Sequence, residues 1–426
     1  MLAQEELTAV LHPHHAMTWA EARQLAYRCA APLPPGPTSL GTAIGCTLAR
    51  DVLARQDLPH YASSAMDGWA ITGEGPWALT GPGRGLAAGE ASVIATGGLI
   101  PAGATAVLRK ESGQVSGDGY LSLRPEAKPG ETLPGRHIRP AGEEATAGDI
   151  LIPAGTLLNP AHLALAAVAG HDQLQVQRKP RVAVVMTGSE VVTSGEPAPG
   201  QVRDAFGPQL DAVIPQLGGV PGGQLRIGDS YGEWLAALDG AGDGKRPEVT
   251  ITTGGTGKSG TDHFRAAVAA LGGRLLLDGV AMRPGHPAVL AELPDGHFIL
   301  GLPGNPLAAM LALMTLGEPL LAALGNRPFQ EATPLLSGAD VEASPGKTRL
   351  IPCRIVHGLV FPADHAGPGM MRGLAWADAY MAVPPEGASA GERVPVLPLP
   401  WTAPIGTPAP LSTESLQRGR QTGWPA

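Results

Sequence analysis

The spacing of apolar residues changes three times along the chain. Residues 17–30 carry alanine and leucine at helical spacing and precede a proline-rich stretch, which predicts one helix. In the next hundred residues, short apolar runs alternate with glycine and proline, as in a small β-barrel or sandwich. From Pro180 longer apolar runs alternate with amphipathic ones, and after Pro328 short β runs return as far as Pro398. Residues 399–426 are rich in Pro, Thr, Ser and Gly, and we expect them to be disordered.

The pattern after Pro180 predicts an open, doubly wound α/β domain. Residues 182–186 are apolar without interruption, which is typical of a strand buried on both faces of a parallel sheet. Residues 249–253 and 297–300 predict further strands. Helices are predicted between the strands, at 208–217, 234–238, 262–271 and 306–321. Domains of this kind bind ligands at the carboxyl ends of their strands.

A glycine-rich loop follows the predicted strand at 249–253. Its residues, in order, are Gly254, Gly255, Thr256, Gly257, Lys258, Ser259, Gly260, Thr261 and Asp262. Glycine permits positive φ and lets backbone N–H groups approach a phosphate, while hydroxyl groups and a following helix N-terminus add donors. The loop therefore predicts a site that binds an anion.

Two other interpretations of this loop are a nucleoside-triphosphatase motif and a turn that binds no ligand. Its Gly257-Lys258-Ser259 segment resembles the end of the nucleoside-triphosphatase motif G-x-x-x-x-G-K-[ST], but Thr252 stands where the first glycine belongs. The spacing therefore argues against that motif. A glycine-rich turn between a strand and a helix can also bind no ligand at all, and this interpretation stays open.

Two further strand ends carry loops of similar character. Residues 187–190 follow one predicted strand, and residues 301–306 follow another. In the second loop, Asn305 suits an N-cap and Pro306 suits the first helical position, so this loop serves either as a cap or as a ligand site. Because the carboxyl ends of parallel strands meet at one edge, we predict that these loops share a crevice with residues 253–262.

Composition and charge narrow the classes of function. With 426 residues and 43% hydrophobic content, the chain predicts a folded protein of two to four domains. A net charge of -8 disfavours nucleic acid as a partner. Cys29, Cys46 and Cys353 lie far apart, which argues against a disulfide framework or structural zinc. The sequence shows neither a signal-peptide pattern nor an apolar run that spans a bilayer, so we expect a cytoplasmic protein with no membrane partner.

Several motifs occur in the order that one protein family shows. Residues 57–70 resemble D-x-P-x-F-D-N-S-A-M-D-G-Y-A, residues 95–104 resemble T-G-A-x-x-P-x-G-A, residues 187–190 resemble T-G-D-E, residues 199–204 resemble P-G-Q-I-x-D, and residues 282–287 resemble K-P-G-K-P, followed by the 302–306 turn. Over residues 17–398 the chain thus resembles the molybdopterin molybdenumtransferase family, which includes bacterial MoeA and the E domain of gephyrin.

The resemblance implies a multidomain fold in which a MogA-like α/β domain is flanked by β-rich domains. The implied divisions are an elongated linking domain at 1–38 with 147–177, a β-rich domain at 39–146, the α/β domain at 178–327 and a C-terminal β domain at 328–398. It also implies a homodimer. In such dimers the active cleft lies between the α/β domain of one subunit and the turn from Ser64 to Asp67 of the other.

The resemblance further implies that adenylylated molybdopterin and molybdate are the substrates, and that Mg²⁺ helps to release AMP. Implied catalytic residues are Asp67, Glu190 and Asp262, of which Glu190 and Asp262 also hold the metal. The implied substrate-binding residues are Ser64, Thr96, Thr187, Gly188, Asp204, Gly254, Gly255, Thr256, Gly257, Ser259, Arg283, His286, Pro303 and Asn305. Arg283 and His286 are expected to face the anion.

The chain departs from the family pattern at Ala62, Ser63, Glu144, Phe206, Arg283 and His286. Ala62 replaces a carboxylate, which removes one possible metal ligand or acid-base group. Arg283 and His286 replace two lysines. Arginine binds an oxyanion more rigidly than lysine does, whereas histidine is charged only part of the time near neutral pH.

Three functions therefore stay open. The first is a molybdopterin molybdenumtransferase, with a MogA-type adenylyltransferase or a molybdoenzyme as a possible partner. The second, suggested by Ala62 and the lost lysines, is a non-catalytic paralogue that binds the cofactor or a partner. The third is a molybdopterin adenylyltransferase, because residues 253–257 with Asp262 also resemble the MogA and MoaB domains. The β-rich regions on both sides argue against the third function.

Overall fold

The computed structural model describes residues 16–240, 246–257 and 263–402. The chain divides into two compact units. Gly36–Val176 forms the smaller unit, and the described residues before and after it form the larger one. The finer division into four domains stays a prediction.

The larger unit begins with strand β1 (Met17–Thr18) and helix α1 (Trp19–Arg28). Thr18 and Glu21 form a capping box at the start of α1. The Glu21 N–H donates to the Thr18 hydroxyl at 3.3 Å, and the Thr18 N–H donates to the Glu21 carboxylate at 3.0 Å. The helix predicted over residues 17–30 is confirmed, in a slightly shorter form.

The smaller unit is rich in short strands, as the sequence predicts. Its elements are β2 (Pro35–Ser39), a 3₁₀ turn (Leu40–Thr42), β3 (Val52–Leu53), β4 (Ser63–Ser64), β5 (Gly68–Ile71), β6 (Trp77–Thr80), β7 (Glu90–Ile94), β8 (Ala106–Arg109), β9 (Gly113–Val115), β10 (Tyr120–Leu123), β11 (Ile138–Arg139), β12 (Ile150–Ile152), α2 (Pro160–Val168) and β13 (Gln173–Gln177). Six strands form one sheet in the order β8-β5-β7-β6-β10-β9. The buried side chains of Ile71, Trp77, Leu108 and Leu121 make its core.

The α/β part of the larger unit follows. Its strands are β14 (Arg181–Thr187), β15 (Val191–Val192), β16 (Val202–Arg203), β17 (Val220–Ile227), β18 (Val249–Thr253), β19 (Arg274–Asp278), β20 (Val280–Arg283), β21 (Val289–Glu292) and β22 (Phe298–Leu302). Its helices are α3 (Phe206–Gln216), α4 (Tyr231–Asp239), α5 (Phe264–Ala270), α6 (Pro306–Ala312) and α7 (Glu318–Leu324). The predicted alternation of strands and helices is confirmed.

Six of these strands form a sheet in the order β17-β14-β18-β22-β21-β19. The first four run parallel, and β21 and β19 extend the sheet antiparallel. Met186 pairs with Thr253, and Thr253 pairs with Leu302. The carboxyl ends of β14, β18 and β22 are therefore level with one another, and this places their loops at one edge of the sheet.

The larger unit ends with β23 (Thr333–Ser337), β24 (Thr348–Val356), β25 (Leu359–Pro362), α8 (Arg372–Ala375), β26 (Ala379–Val383) and β27 (Arg393–Pro398). Pairing of β24 with both β25 and β26 closes these five strands on themselves. The sequence predicts this β module but not its partners. Strand β20 pairs with β24 in parallel, and β1 pairs with β20, so two earlier strands extend the module.

A long apolar helix ties these parts together. Helices α6 and α7 are continuous through a π-helical segment at Leu313–Gly317. Residues Pro306–Leu324 are long and apolar enough to cross a membrane, but 94% of their most apolar stretch is buried inside the protein. A helix that is apolar on all sides is expected in the core of a large unit.

A buried arginine anchors this helix to α1. Arg23 is 3% exposed, and its guanidinium donates to the Met314 carbonyl at 2.8 Å, the Gln330 carbonyl at 2.7 Å and the Glu318 carboxylate at 3.1 Å. Burial raises the pKa of Glu318, and the nearby Arg23 charge opposes that rise. The buried pair therefore depends on both partners being present.

We predict that Arg23→Met lowers the free energy of unfolding of the larger unit by about 3 kcal/mol, because Glu318 loses its ion-pair partner inside the protein. Urea denaturation measures the change. The control is Arg274→Met, which removes the pair with Glu292 in the same unit. The Arg274 side chain is 74% exposed, so this loss is expected to stay below about 1 kcal/mol. Equal losses in the two variants would contradict the prediction.

Candidate functional site

A crevice of about 750 Å³ lies at the carboxyl ends of the parallel strands. Two hydrogen bonds join the loops around it. The Thr187 hydroxyl donates to the Thr253 carbonyl at 2.7 Å, and the Gly254 N–H donates to the Leu302 carbonyl at 2.9 Å. The residues from the three predicted loops that line the crevice are Thr187, Gly188, Glu190, Thr253, Gly254, Gly255, Gly304, Asn305 and Pro306. The prediction that the three loops share one crevice is confirmed, but Thr256 and Gly257 do not line it, and Ser259 and Asp262 lie outside the described residues.

The first two glycines of the loop are required by their surroundings. Gly254 has φ +84° and Gly255 has φ +65°. A Cβ atom at Gly255 would lie 2.3 Å from the indole of Trp234, and one at Gly254 would lie 2.7 Å from the Thr187 hydroxyl. Trp234 belongs to α4 and is 1% exposed, so it cannot move aside without disturbing the core.

The next part of the loop is held at its carbonyl groups. Thr256 is buried, and Arg265 donates to the carbonyls of Thr256 at 3.1 Å and Gly257 at 2.8 Å. Within the described residues, the N–H groups of Gly255 and Gly257 make no hydrogen bond to backbone or side chain. Unpaired N–H groups on a glycine-rich turn are what an oxyanion binds.

Three carboxylates line the crevice, those of Glu190, Asp204 and Asp229, and two of them make no hydrogen bond to another described residue. Glu190 follows β14, and its carboxylate turns back over Gly188, where a Cβ atom would lie 2.9 Å from Oε2. Asp229 follows β17 at the edge of the sheet. Neither carboxylate has a hydrogen-bond partner among the described residues, which leaves both free to bind a cation or a donor on a ligand.

The sequence does not predict Asp229 as a site residue. Strand β17, which precedes it, is mostly exposed and includes two glycines, so the segment shows no buried apolar run that would predict a strand. Once β17 is known to run parallel to β14, Asp229 becomes the acidic residue at a fourth aligned strand end.

The carboxylates suit a magnesium ion that also binds substrate phosphate. Mg²⁺ is commonly held by one or two carboxylates together with phosphate oxygens and water. The described residues contain no cluster of three His, Cys, Asp or Glu side chains that could hold a metal by itself. Glu190 and Asp229 therefore fit this ion as partial ligands, and the third predicted ligand, Asp262, lies outside the described residues.

Asp204 lines the crevice, but its oxygens are already used. Its carboxylate accepts from the N–H of Phe206 at 2.9 Å and from the N–H of Gly207 at 3.1 Å, and it pairs with Arg226. These contacts satisfy the first turn of α3. Its substrate-binding role stays a prediction, and a contact with substrate would compete with these bonds.

Asn305 and Pro303 stand at the start of α6. The helix begins at Pro306 as predicted, with Asn305 at the N-cap, but the Asn305 side chain makes no capping hydrogen bond. Asn305 is exposed and lines the crevice, whereas Pro303 is buried and does not. Of the two interpretations of this loop, the arrangement favours ligand contact for Asn305.

Arg283 lies in a second cavity, of about 660 Å³, beside the crevice. Strands β20 and β24 place Arg283 opposite Arg349, and both residues line this cavity with His365. Neither arginine forms an ion pair with another described residue. Gly367 and Pro368 line this cavity and Gly369 lines the crevice, so one short segment separates the two.

His286 contacts neither cavity. Its ring Nδ1 lies 2.7 Å from the Val280 carbonyl, which holds the imidazole against its own hairpin. The two positions that the sequence analysis expected to face one anion are thus found in different surroundings.

The smaller unit carries the remaining predicted residues. The Asp67 carboxylate accepts from the N–H of Thr96 at 2.7 Å and from its hydroxyl at 3.0 Å, and these bonds lower the pKa of Asp67. Because the pKa is lowered, the Asp67 carboxylate stays ionised through the ordinary titration range of an aspartate, and the stabilisation from these bonds is lost as the pH falls through the lowered pKa. Ser64 is fully buried, and its hydroxyl donates to the Met66 carbonyl at 2.6 Å. Ser64 thus shapes the turn that exposes Asp67.

Three family models match successive parts of the chain. The MoeA N-terminal region (domains I and II) matches residues 17–170, a probable molybdopterin binding domain matches residues 183–323, and the MoeA C-terminal region (domain IV) matches residues 335–399. Their order defines a MoeA-type protein, in which a molybdopterin-binding type of domain lies between N-terminal and C-terminal MoeA regions.

Individual relatives agree with this class. Molybdopterin molybdenumtransferase of Nostoc sp. is 30% identical over 315 residues, which cover 67% of this chain and 69% of that protein. Molybdopterin molybdenumtransferase 2 of Mycobacterium tuberculosis is 29% identical over 381 residues, covering 82% and 91% of the two chains. The chain belongs to the molybdopterin molybdenumtransferase family, as its motifs predict.

A solved structure shows the same fold. The molybdopterin biosynthesis MoeA protein of Pyrococcus horikoshii superposes with a TM-score of 0.70 at 24% identity, over 90% of this chain and 99% of that one. The predicted architecture, a MogA-like α/β domain flanked by β-rich regions, is confirmed.

We predict that Gly255→Ala destabilises the larger unit by about 1–3 kcal/mol, because the new Cβ meets Trp234 and the residue must keep positive φ. The matched control is Gly304→Ala in the same crevice, where the nearest atom to a new Cβ is 3.9 Å away. Its effect is expected to be below about 1 kcal/mol. Urea denaturation of both variants distinguishes the two cases, and a Gly255→Ala variant as stable as the Gly304→Ala variant would contradict the prediction.

Proposed function

We propose that this protein inserts molybdate into adenylylated molybdopterin and releases AMP, in the biosynthesis of the molybdenum cofactor. The observation that carries the proposal is the crevice at adjacent strand ends, where the Gly255 N–H and the carboxylates of Glu190 and Asp229 make no hydrogen bond to another described residue. Membership of the molybdopterin molybdenumtransferase family supports the choice of substrates.

The substrate carries negative charge on its pyrophosphate. In the proposal, the N–H groups of Gly255 and Gly257 bind those oxygens. Glu190 and Asp229, with Asp262, would hold Mg²⁺, and the bound ion would neutralise negative charge on the phosphates. The protein's residues would hold the anhydride in one orientation, with the carboxylates on the side where the cation binds.

Molybdate is proposed to bind in the cavity that Arg283 and Arg349 line. Asp340, Glu342 and Asp364 line the same cavity, but neither arginine forms an ion pair with a described residue. Arginine binds tetrahedral oxyanions through paired donors. The Arg283 replacement is therefore compatible with the function. His286, which contacts neither cavity, contributes no such charge.

Asp67 is proposed to act at the crevice of a partner subunit in a homodimer. Because its pKa is lowered by Thr96, it is a carboxylate at neutral pH. A MogA-type adenylyltransferase that supplies the substrate, a molybdoenzyme that receives the product, and a cytoplasmic location remain parts of the proposal.

A non-catalytic paralogue is the second candidate. Ala62 lacks a carboxylate at a position where the family has one, and His286 is held away from both cavities. Such a protein would bind adenylylated molybdopterin without converting it. The same assay therefore distinguishes the two candidates.

The test mixes purified protein with adenylylated molybdopterin, molybdate and Mg²⁺, and measures AMP release together with active cofactor. Turnover without ATP supports the proposal. Binding without turnover in this assay, with turnover restored by Ala62→Asp, supports the paralogue instead. A requirement for ATP, with molybdopterin as substrate, would indicate an adenylyltransferase.

We predict that Glu190→Gln and Asp229→Asn each lower turnover at least about tenfold, since loss even of an outer partner of a metal ligand has that effect. Raised Mg²⁺ should restore part of the activity if the carboxylates hold the metal. The control is Glu196→Gln, which changes an exposed carboxylate of the same region that does not line the crevice. Activity of the Glu190 and Asp229 variants equal to that of the control would rule out their proposed role.

We also predict that Arg349→Gln raises the KM for molybdate about tenfold and leaves the KM for adenylylated molybdopterin unchanged, because one charged hydrogen-bond donor is lost from one cavity only. Arg354→Gln is the control, since Arg354 lies on the same strand but pairs with Asp378 at 3.1 Å. An increase in both KM values would argue against a separate molybdate site.

A further inference from the structure

Arg265 connects the glycine-rich loop to the sheet. It is the second residue of α5, and its Nη1 donates to the carbonyls of Thr256 and Gly257. The other side of the same guanidinium binds Asp278 at the end of β19, with Nε at 3.1 Å and Nη2 at 2.5 Å from Oδ1. One side chain therefore joins the loop to a strand that lies at the far edge of the sheet.

These bonds fix the direction of the loop's peptide groups. Across a trans peptide, the carbonyl of one residue and the N–H of the next point in opposite directions. Because the Thr256 carbonyl points to Arg265, the Gly257 N–H points away from it. The Arg265 contacts thus set the side of the loop on which its donors are presented.

Thr256 also makes an apolar contact with the sheet. The Thr256 methyl group packs over Gly301, where a Cβ atom would lie 2.6 Å from it. This packing places the loop at a given height above β22 but leaves the rotation of the peptide groups free. The hydrogen bonds from Arg265 restrain that rotation. Asp278 neutralises the charge of Arg265, so the pair orients the peptide groups without adding net charge.

We propose that Arg265, held by Asp278, is a positioning residue that keeps the N–H group of Gly257 turned toward the phosphate groups of the substrate. This inference rests on the proposed function and adds to it a residue that does not touch the substrate. Arginine suits the role because its planar fork donates to two carbonyls and to a carboxylate at once, which the single ammonium of lysine cannot do in a fixed geometry.

The test compares Arg265→Gln and Arg265→Lys with the control Arg274→Gln. Arg274 begins β19, the strand that ends at Asp278, and pairs with Glu292, so the control removes an arginine ion pair from the same strand without touching the loop. Arg265→Gln is expected to raise the KM for adenylylated molybdopterin about tenfold, with kcat changed less than about threefold, because the loop binds ground state and transition state alike. Arg265→Lys should lie between wild type and Arg265→Gln, and the control should match wild type.

A second measurement needs no turnover. Hydrogen exchange of the ligand-free protein should show faster exchange at residues 254–257 in Arg265→Gln and in Asp278→Asn than in wild type or in Arg274→Gln, with the core strands unchanged. If Arg265→Gln unfolds, Asp278→Asn takes its place in both measurements. If the wild-type protein shows no turnover, the proposed function fails, but hydrogen exchange still tests whether Arg265 and Asp278 restrain the loop.

Three outcomes would overturn the inference. The first is an unchanged exchange rate at residues 254–257 in a folded variant. The second is faster exchange with an unchanged KM in an active enzyme, which would make the Arg265 contacts structural only. The third is a parallel fall of kcat in Arg265→Gln and Arg274→Gln, which would show a general loss of stability.

Discussion

The level carboxyl ends of β14, β18 and β22 determine where chemistry can take place in this chain. Their parallel hydrogen bonding pairs Met186 with Thr253 and Thr253 with Leu302, so three separate loops must meet. All five residues of β18 are buried, which makes any slip of register costly, because polar loop residues would enter the core. The crevice is thus a consequence of strand register, and the glycines, hydroxyl groups and carboxylates at its rim depend on that register.

A second constraint joins the α/β part to the C-terminal strands. Strand β20 leaves the α/β segment and pairs with β24, which brings Arg283 opposite Arg349. The buried helix from Pro306 to Leu324 begins in the crevice and contacts Arg23 at Met314 and Glu318, so the same helix positions Asn305 and connects to α1. The crevice and the arginine cavity are therefore built from elements that share one core, and the core fixes the distance between them.

The sequence predicts those parts of the site that depend on local chemistry. The glycines at 254 and 255, the helix start at Pro306 and the polar end of β14 each have a local signature, and the family motifs add Asp67 and Arg283. Asp229 escapes prediction because its strand lies at the edge, where burial imposes no apolar pattern. Arg349 escapes because only tertiary pairing brings it to Arg283. His286 shows the opposite failure, since a motif position alone cannot reveal that a side chain hydrogen-bonds to its own hairpin.

The packing of Trp234 beneath Gly255 makes this tryptophan an intrinsic fluorescence probe of the glycine-rich loop. An indole emits at a wavelength and intensity that follow the polarity and motion of the groups around it, and this ring touches the backbone that a phosphate would contact. Trp234 also contacts the ring of Phe264 edge to face, with the ring centroids 6.2 Å apart. Because Trp234 lines the crevice, we expect its emission to change when a ligand binds, so that binding can be followed without an attached dye.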